Sequence, residues 1–210
     1  MTDPRPGVFL TAEWRHLAML NYEAEPALLA PLVPSGTELD EWRGRTYVSA
    51  VGFLFLETRV LGLSIPFHTR FEEVNLRFYV RRKAGGEWRR GVVFVKELVP
   101  RWAIAFVART LYGERYVSLP MGHRIELGEY GEPSFVSYSF RHAGRDGSTT
   151  EYAVEHPSWR VSRARDARLD ADVAALYGER FVGALSARPS SAFLADGSAV
   201  TVRKGVRVVP

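Results

Sequence analysis

The stretch FEEVNLRFYVRRKAGGEWRRGVVFVKELVP, residues 71–100, constrains the fold more than any other part of the chain. Two runs rich in β-branched and aromatic residues flank Gly85 and Gly86. A Gly-Gly pair between such runs marks a tight β-hairpin, because both central residues of a type I′ turn need positive φ. The first run alternates with a period of two, which puts Val74, Leu76, Phe78 and Val80 on one face and Glu73, Asn75, Arg77, Tyr79 and Arg81 on the other. The apolar face must meet a core. The polar face has two readings. Antiparallel sheets commonly wet one side. In a closed barrel the same side would line a lumen, with Glu73, Asn75 and Arg77 as a convergent acid, amide and cation suited to a carboxylate or carbonyl ligand. Glu72 falls on the apolar side at the start of the strand, either at a rim or as a buried acid.

Further strands are predicted over TYVSAVGFLFLETRVLG (46–62), MGHRIELGEYG (121–131), PSFVSYSFRHAG (133–144), STTEYAVEHP (148–157) and AVTVRKGVRVV (199–209). Helical signals are few. PALLAPLVP (26–34) reads as a short helix closed by Pro34, WAIAFVARTLYG (102–113) as another, and DARLDADVAALYGERFVGAL (166–185) has apolar positions at helical spacing. Many strands with only two or three helices, and no regular alternation of the two, exclude a doubly wound α/β fold. They predict a mainly β protein, an antiparallel β-barrel or sandwich with helical decorations. No linker or repeat divides residues 1–210, so one domain is expected.

Composition narrows the function classes. The chain has no cysteine, which removes disulfides, thiolate metal sites and a cysteine nucleophile. The five histidines, His16, His68, His123, His142 and His156, form no metal-binding spacing, so no metal and no cofactor are expected. Neither a G-x-S-x-G elbow nor a Gly-rich phosphate loop is present. A net charge of +4 raises nucleic acid as a partner. The arginines are scattered and interleaved with 24 acidic residues, however, and the densest basic cluster flanks the hairpin turn, so no nucleic-acid partner is expected. No apolar run is long enough to span a bilayer, and MTDPRPGVFL lacks the features of a signal peptide. The expectation is a cytoplasmic protein with no membrane partner, able to form a homo-oligomer.

Only three of the 28 basic residues are lysines, and one of them, Lys96, sits among Val92, Val93, Phe94, Val95, Leu98 and Val99. A desolvated amine can become a nucleophile toward carbonyl compounds. The alternative is that Lys96 snorkels or pairs with a carboxylate such as Glu97.

The segments EWRHLAMLNYEAEPALLAPLVPSGTELD, RFEEVNLRFYVRR, GVVFVKELVPR, ARTLYGERY and SAFLADGSAVTV together resemble the bacterial YqjF-like family, in the same order and over nearly the whole chain. That family is similar to the acetoacetate decarboxylase superfamily. The resemblance implies an antiparallel β-barrel with a central cavity, in which the superfamily uses a Schiff-base lysine with nearby glutamates and an arginine. In the decarboxylases the lysine pair ends a motif Gly-Arg-Glu, apolar, Trp, Gly, aromatic, Pro, Lys, Lys. The comparable stretch here is ARTLYGERYV, where Arg109 and Gly113 match, and Tyr116 and Val117 fall where the lysines stand. The Schiff-base amine is missing from its place, and Lys96, on an earlier strand, does not inherit the role by motif. These likenesses imply a protein binding a small anionic or carbonyl compound in a cavity lined by Glu72, Glu73, Asn75, Arg77, Lys96, Arg109 and Tyr116. The alternative is a lyase or isomerase on the same scaffold, with Glu73 or Glu72 as base and Arg109 orienting a carboxylate.

Overall fold

The computed structural model describes residues 6–100, 116–127, 133–140 and 153–204. Their largest element is a ten-stranded sheet. Its main path runs through β1 (Val8–Ala24), β3 (Thr46–Val60), β5 (Phe71–Ala84), β6 (Glu87–Val99), β7 (Tyr116–Ser118), β10 (Val154–Glu155) and β12 (Ser191–Arg203), in the spatial order β10-β12-β1-β3-β5-β6-β7. Short strands β2 (Glu38–Leu39), β4 (Leu63–Ser64) and β11 (Val161–Arg163) pair with β5, β3 and β12. Strands β8 (Met121–Leu127) and β9 (Pro133–Phe140) form a separate antiparallel pair. The β6–β7 pairing is parallel, so the sheet is mixed rather than purely antiparallel, and among the described residues it is an open path.

The expected hairpin is β5–β6. Ala84 pairs with Glu87 around Gly85 and Gly86, which have φ of 60° and 85° as a type I′ turn demands. The apolar face of β5 is core: Val74, Leu76, Phe78 and Val80 share one buried cluster with Tyr22, Leu29, Val48 and Leu98. The helices cover this face. They are α1 (Pro26–Leu29), continued by a 3-10 turn over Ala30–Leu32, then α2 (Val173–Tyr177) and α3 (Val182–Leu185), separated by a 3-10 turn over Glu179–Phe181. Asp172 caps α2, its side chain accepting from the Ala175 N–H. Leu29, Leu176, Phe181 and Leu185 enter the same cluster as Phe78. The predicted helix over 102–113 lies outside the described residues. No helix among the described residues is long and apolar enough to cross a membrane.

Two bulges reset the alternation. In β1 the register slips between Arg15 and Ala18, with His16 at φ 54°, so that Trp14 and Leu17 face the same cluster despite their odd spacing. In β6 one extra residue, Val95, lies between the partners of Leu76 and Arg77, which are Lys96 and Phe94. Phe94 and Glu97 therefore share the face of Arg77 and Asn75, while Lys96 joins that of Leu76.

Tyr22 is 1% exposed, its hydroxyl has no hydrogen-bond partner among the described residues, and burial pushes its phenol up to about 12 from 10.0. Tyr177 is pushed in the same direction, again by burial. A phenol whose pKa is higher in the folded state stabilises fully below the unfolded value and loses that contribution as pH rises through the folded one. Stability should therefore fall between about pH 10 and about pH 12. In Tyr22→Phe the fall should be shallower, with stability at pH 7 raised by about 1 kcal/mol or more, because a buried hydroxyl without a partner is removed and no hydrogen bond is lost. Urea midpoints measured across this pH range check it.

Candidate functional site

The face of the sheet opposite the helices carries a second buried cluster, with Ala12, Leu17, Val51, Phe53, Phe55, Phe71 and Val200 at its centre. Against it lies a cavity of about 100 Å³. Trp14, Phe53, Phe55 and Phe94 form its aromatic wall, with ring centroids 4.8 Å apart for Trp14 and Phe53 and 5.3 Å for Phe53 and Phe55. The polar wall is the odd-numbered side of β5, Glu73, Asn75 and Arg77, joined by Glu97 from β6 and Tyr116 from β7. The ends of β1, β10 and β12 complete it with Phe9, Leu10, Val154, Val202 and Arg203.

Glu73 and Asn75 are each 2% exposed and Glu97 1%, so this part of the polar face of β5 does not meet solvent. Cross-strand pairing assembles it: Glu73 stands opposite Phe53, Asn75 between Val51 and Glu97, and Glu97 beside Tyr116. Both oxygens of Glu73 are engaged, Oε1 by Asn75 Nδ2 at 2.9 Å and Oε2 by the Tyr116 hydroxyl at 3.0 Å. The carboxylate fixes the amide, which must turn its nitrogen to Glu73 and its Oδ1 away. Asn75 Oδ1, Arg77 Nε, Trp14 Nε1 and Arg203 Nε are all buried without a hydrogen-bond partner among the described residues. Leaving Asn75 Oδ1 or Trp14 Nε1 unpaired costs about 1–3 kcal/mol each. Arg203 reaches Glu155 at 2.7 Å, and that hydrogen bond raises its pKa further above the usual guanidinium value. Farther along the same face the polar side chains are paired with one another: Ser49 Oγ donates to Asn21 Oδ1 at 2.5 Å and lies 2.7 Å from the Tyr79 hydroxyl, and Arg81 pairs with Glu38 at 2.7 Å.

Of the seven residues singled out from the sequence, the structure brings four together at this cavity: Glu73, Asn75, Arg77 and Tyr116. Two stand elsewhere. Glu72 lies on the other face of β5, where its carboxylate accepts from His123 Nδ1 at 2.8 Å. The Lys96 ammonium also lies on the other face and donates to the carbonyl of Leu176, in the last turn of α2, where a helix leaves carbonyls unpaired. That contact gives Lys96 a structural place away from the cavity. Arg109 lies outside the described residues. Glu97, Trp14 and Arg203 line the cavity and were not singled out from the sequence. The bulge at Val95 is what turns Glu97 inward, and one-residue slips of this kind leave no mark in composition.

No group of three or more histidine and carboxylate side chains that could hold a metal ion occurs among the described residues. Chemically, the arrangement offers a buried carboxylate held by two donors, a guanidinium, and unpaired donors and an acceptor, all facing an aromatic wall.

Comparison with known proteins places this geometry. The fold is that of acetoacetate decarboxylase-like proteins. A crystal structure of acetoacetate decarboxylase from Legionella pneumophila aligns with a TM-score of 0.61 at 14% identity, over 100% of this chain and 92% of that one. An acetoacetate decarboxylase-like enzyme from Sphingomonas wittichii RW1 aligns with a TM-score of 0.57 at 12% identity, over 95% and 93%. The enduracididine biosynthesis enzyme MppR complexed with pyruvate aligns with a TM-score of 0.55 at 13% identity, over 96% and 90%. In sequence, the uncharacterized protein YqjF of Bacillus subtilis (strain 168) is 34% identical over 71 residues, which cover 33% of this chain and 29% of that protein. The model of the DUF2071 family, described as "Uncharacterized conserved protein", matches residues 11–145, and the chain, YqjF-like in sequence and acetoacetate decarboxylase-like in fold, belongs to that family.

Proposed function

We propose that this protein, acting in the cytoplasm, binds a small organic molecule bearing a carboxylate or carbonyl group in the cavity behind β5, with the sheet wrapped around the ligand as a barrel. The observation that carries the reading is Arg77: it lines the cavity, and its Nε is buried without a partner among the described residues. Buried polar groups are almost always hydrogen-bonded, and one left open at a cavity wall calls for a polar occupant. A cavity of about 100 Å³ is smaller than the roughly 150 Å³ that accepts benzene, so the ligand has about four to six non-hydrogen atoms, no more than benzene. Pyruvate, held by a protein of the same fold, is a compound of this size and chemistry.

Propionate and pyruvate are suitable probes. Both should bind the 210-residue chain in calorimetric or NMR titration, and Arg77→Met should weaken binding by about tenfold or more, the loss of one charge-assisted hydrogen bond. Unchanged affinity in the variant, or no binding of either acid to the wild type, would contradict the proposal.

A second reading, a lyase or isomerase working without a Schiff-base lysine, is favoured by the Glu73 carboxylate, which lines the cavity with the Tyr116 hydroxyl on one of its oxygens. Glu73 would take a proton from a carbon next to a carbonyl, with Arg109 orienting a carboxylate of the substrate. Exchange of deuterium from solvent into bound pyruvate, abolished in Glu73→Gln, would mark this activity.

A further inference from the structure

We infer that the ligand is a short hydroxy acid, which the protein separates from the corresponding keto acid by the hydrogen-bond polarity of Asn75; the inference rests on the carboxylate-binding reading above. Asn75 is 2% exposed and lines the cavity. Its amide cannot turn over freely, because Nδ2 donates to Glu73 Oε1 at 2.9 Å and a reversed amide would set its oxygen against that carboxylate. The atom left without a partner among the described residues is therefore Oδ1, an acceptor only. A ligand satisfies it with an O–H or N–H, and a carbonyl oxygen in the same place would meet it lone pair to lone pair.

The neighbouring unpaired groups have the opposite polarity. Arg77 Nε and Trp14 Nε1 are donors, and both residues line the same cavity. Asn75 and Arg77 stand two positions apart on one face of β5, about 6.6 Å along the strand, and the flexible arginine can shorten that span. One wall thus asks for a donor and, a few ångströms away, for an anionic acceptor. The cavity volume of about 100 Å³ limits the carbon skeleton to about three atoms. A hydroxyl on the carbon bearing the carboxylate, or on the next one, meets all three conditions. The engaged oxygens of Glu73 favour the same assignment, since that carboxylate already accepts from Asn75 and Tyr116.

The discrimination should be strong, because a site built to pair a buried polar atom rejects the analogue that leaves it unpaired. The test uses four acids on one three-carbon skeleton, propionate, pyruvate, lactate (both enantiomers) and 3-hydroxypropionate, titrated into the wild-type chain by NMR. At least one hydroxy acid should bind about tenfold more tightly than propionate, and pyruvate no more tightly than propionate. In Asn75→Leu the advantage of the hydroxy acid over propionate should vanish. If that variant does not fold, the wild-type ranking decides alone. Binding of propionate and pyruvate with no advantage for any hydroxy acid would overturn this inference and leave the carboxylate site standing. Binding of none of the acids would overturn both.

Discussion

Replacing Phe78 by alanine is expected to lower the free energy of unfolding by about 3–5 kcal/mol, and Leu76→Ala by about 2–5 kcal/mol. Both side chains are 0% exposed and sit in the cluster that joins β5 to the helices. Each truncation removes buried apolar surface and leaves a cavity that a sheet pinned on both sides closes only partly, since β5 is hydrogen-bonded to β3 and β6 through this region. Urea unfolding followed by circular dichroism measures the loss. A change below about 1 kcal/mol in both variants would show that the faces of β5 are reversed.

Gly197→Ala should be at least as damaging, for a different reason. Gly197 has φ +85°, and a Cβ there would lie 1.9 Å from the carbonyl oxygen of Trp14 and 2.8 Å from Leu17 Cδ1. The obstacle is backbone, so relief requires β1 and β12 to move apart where Arg15 pairs with Gly197. We expect a loss of about 3 kcal/mol or more. Gly85→Ala supplies the control. It too has positive φ, +60°, but nothing within 4 Å of the added carbon, so it should cost only about 1–2 kcal/mol. Equal losses in the two variants would mean that backbone strain alone, not the close approach of Trp14, sets the cost. Because Trp14 lines the cavity, Gly197→Ala should also weaken ligand binding, whereas Gly85→Ala should not.

The sequence makes the centre of this molecule legible and its margins less so. Period-two alternation over 73–80 assigns both faces of β5 correctly, and the Gly-Gly turn fixes its pairing with β6. Alternation cannot by itself tell a wet face from a lined cavity. What decides is the rest of the sheet, where Val51, Phe53 and Phe55 on β3 and Trp14 on β1 continue the same side as an apolar wall. Strand β1 gave no clean signal, because the bulge at His16 breaks its period and puts Trp14 and Leu17 on one side. β12 begins at Ser191, eight residues before the stretch predicted from AVTVRKGVRVV, since Gly197 within it resembles a turn and is instead the point of closest approach to β1. The same limit hid Glu97. Strict alternation groups it with Val95, and only the extra residue in β6 brings it round to Asn75. Lys96 shows the reverse case: its apolar neighbours suggest a desolvated amine, and the partner that explains it, the Leu176 carbonyl, is 80 residues away.

If the cavity behind β5 takes a small carboxylate, the indole N–H signals of the 210-residue chain report its binding. Trp14 Nε1 is buried in the cavity wall, whereas Trp42 and Trp88 are 59% and 46% exposed and outside it. With the Trp14 signal assigned through Trp14→Phe, titration with propionate should shift that resonance in a saturable way and leave those of Trp42 and Trp88 in place. A Trp14 signal that stays fixed at saturating acid, or moves only in step with the exposed indoles, would contradict the claim.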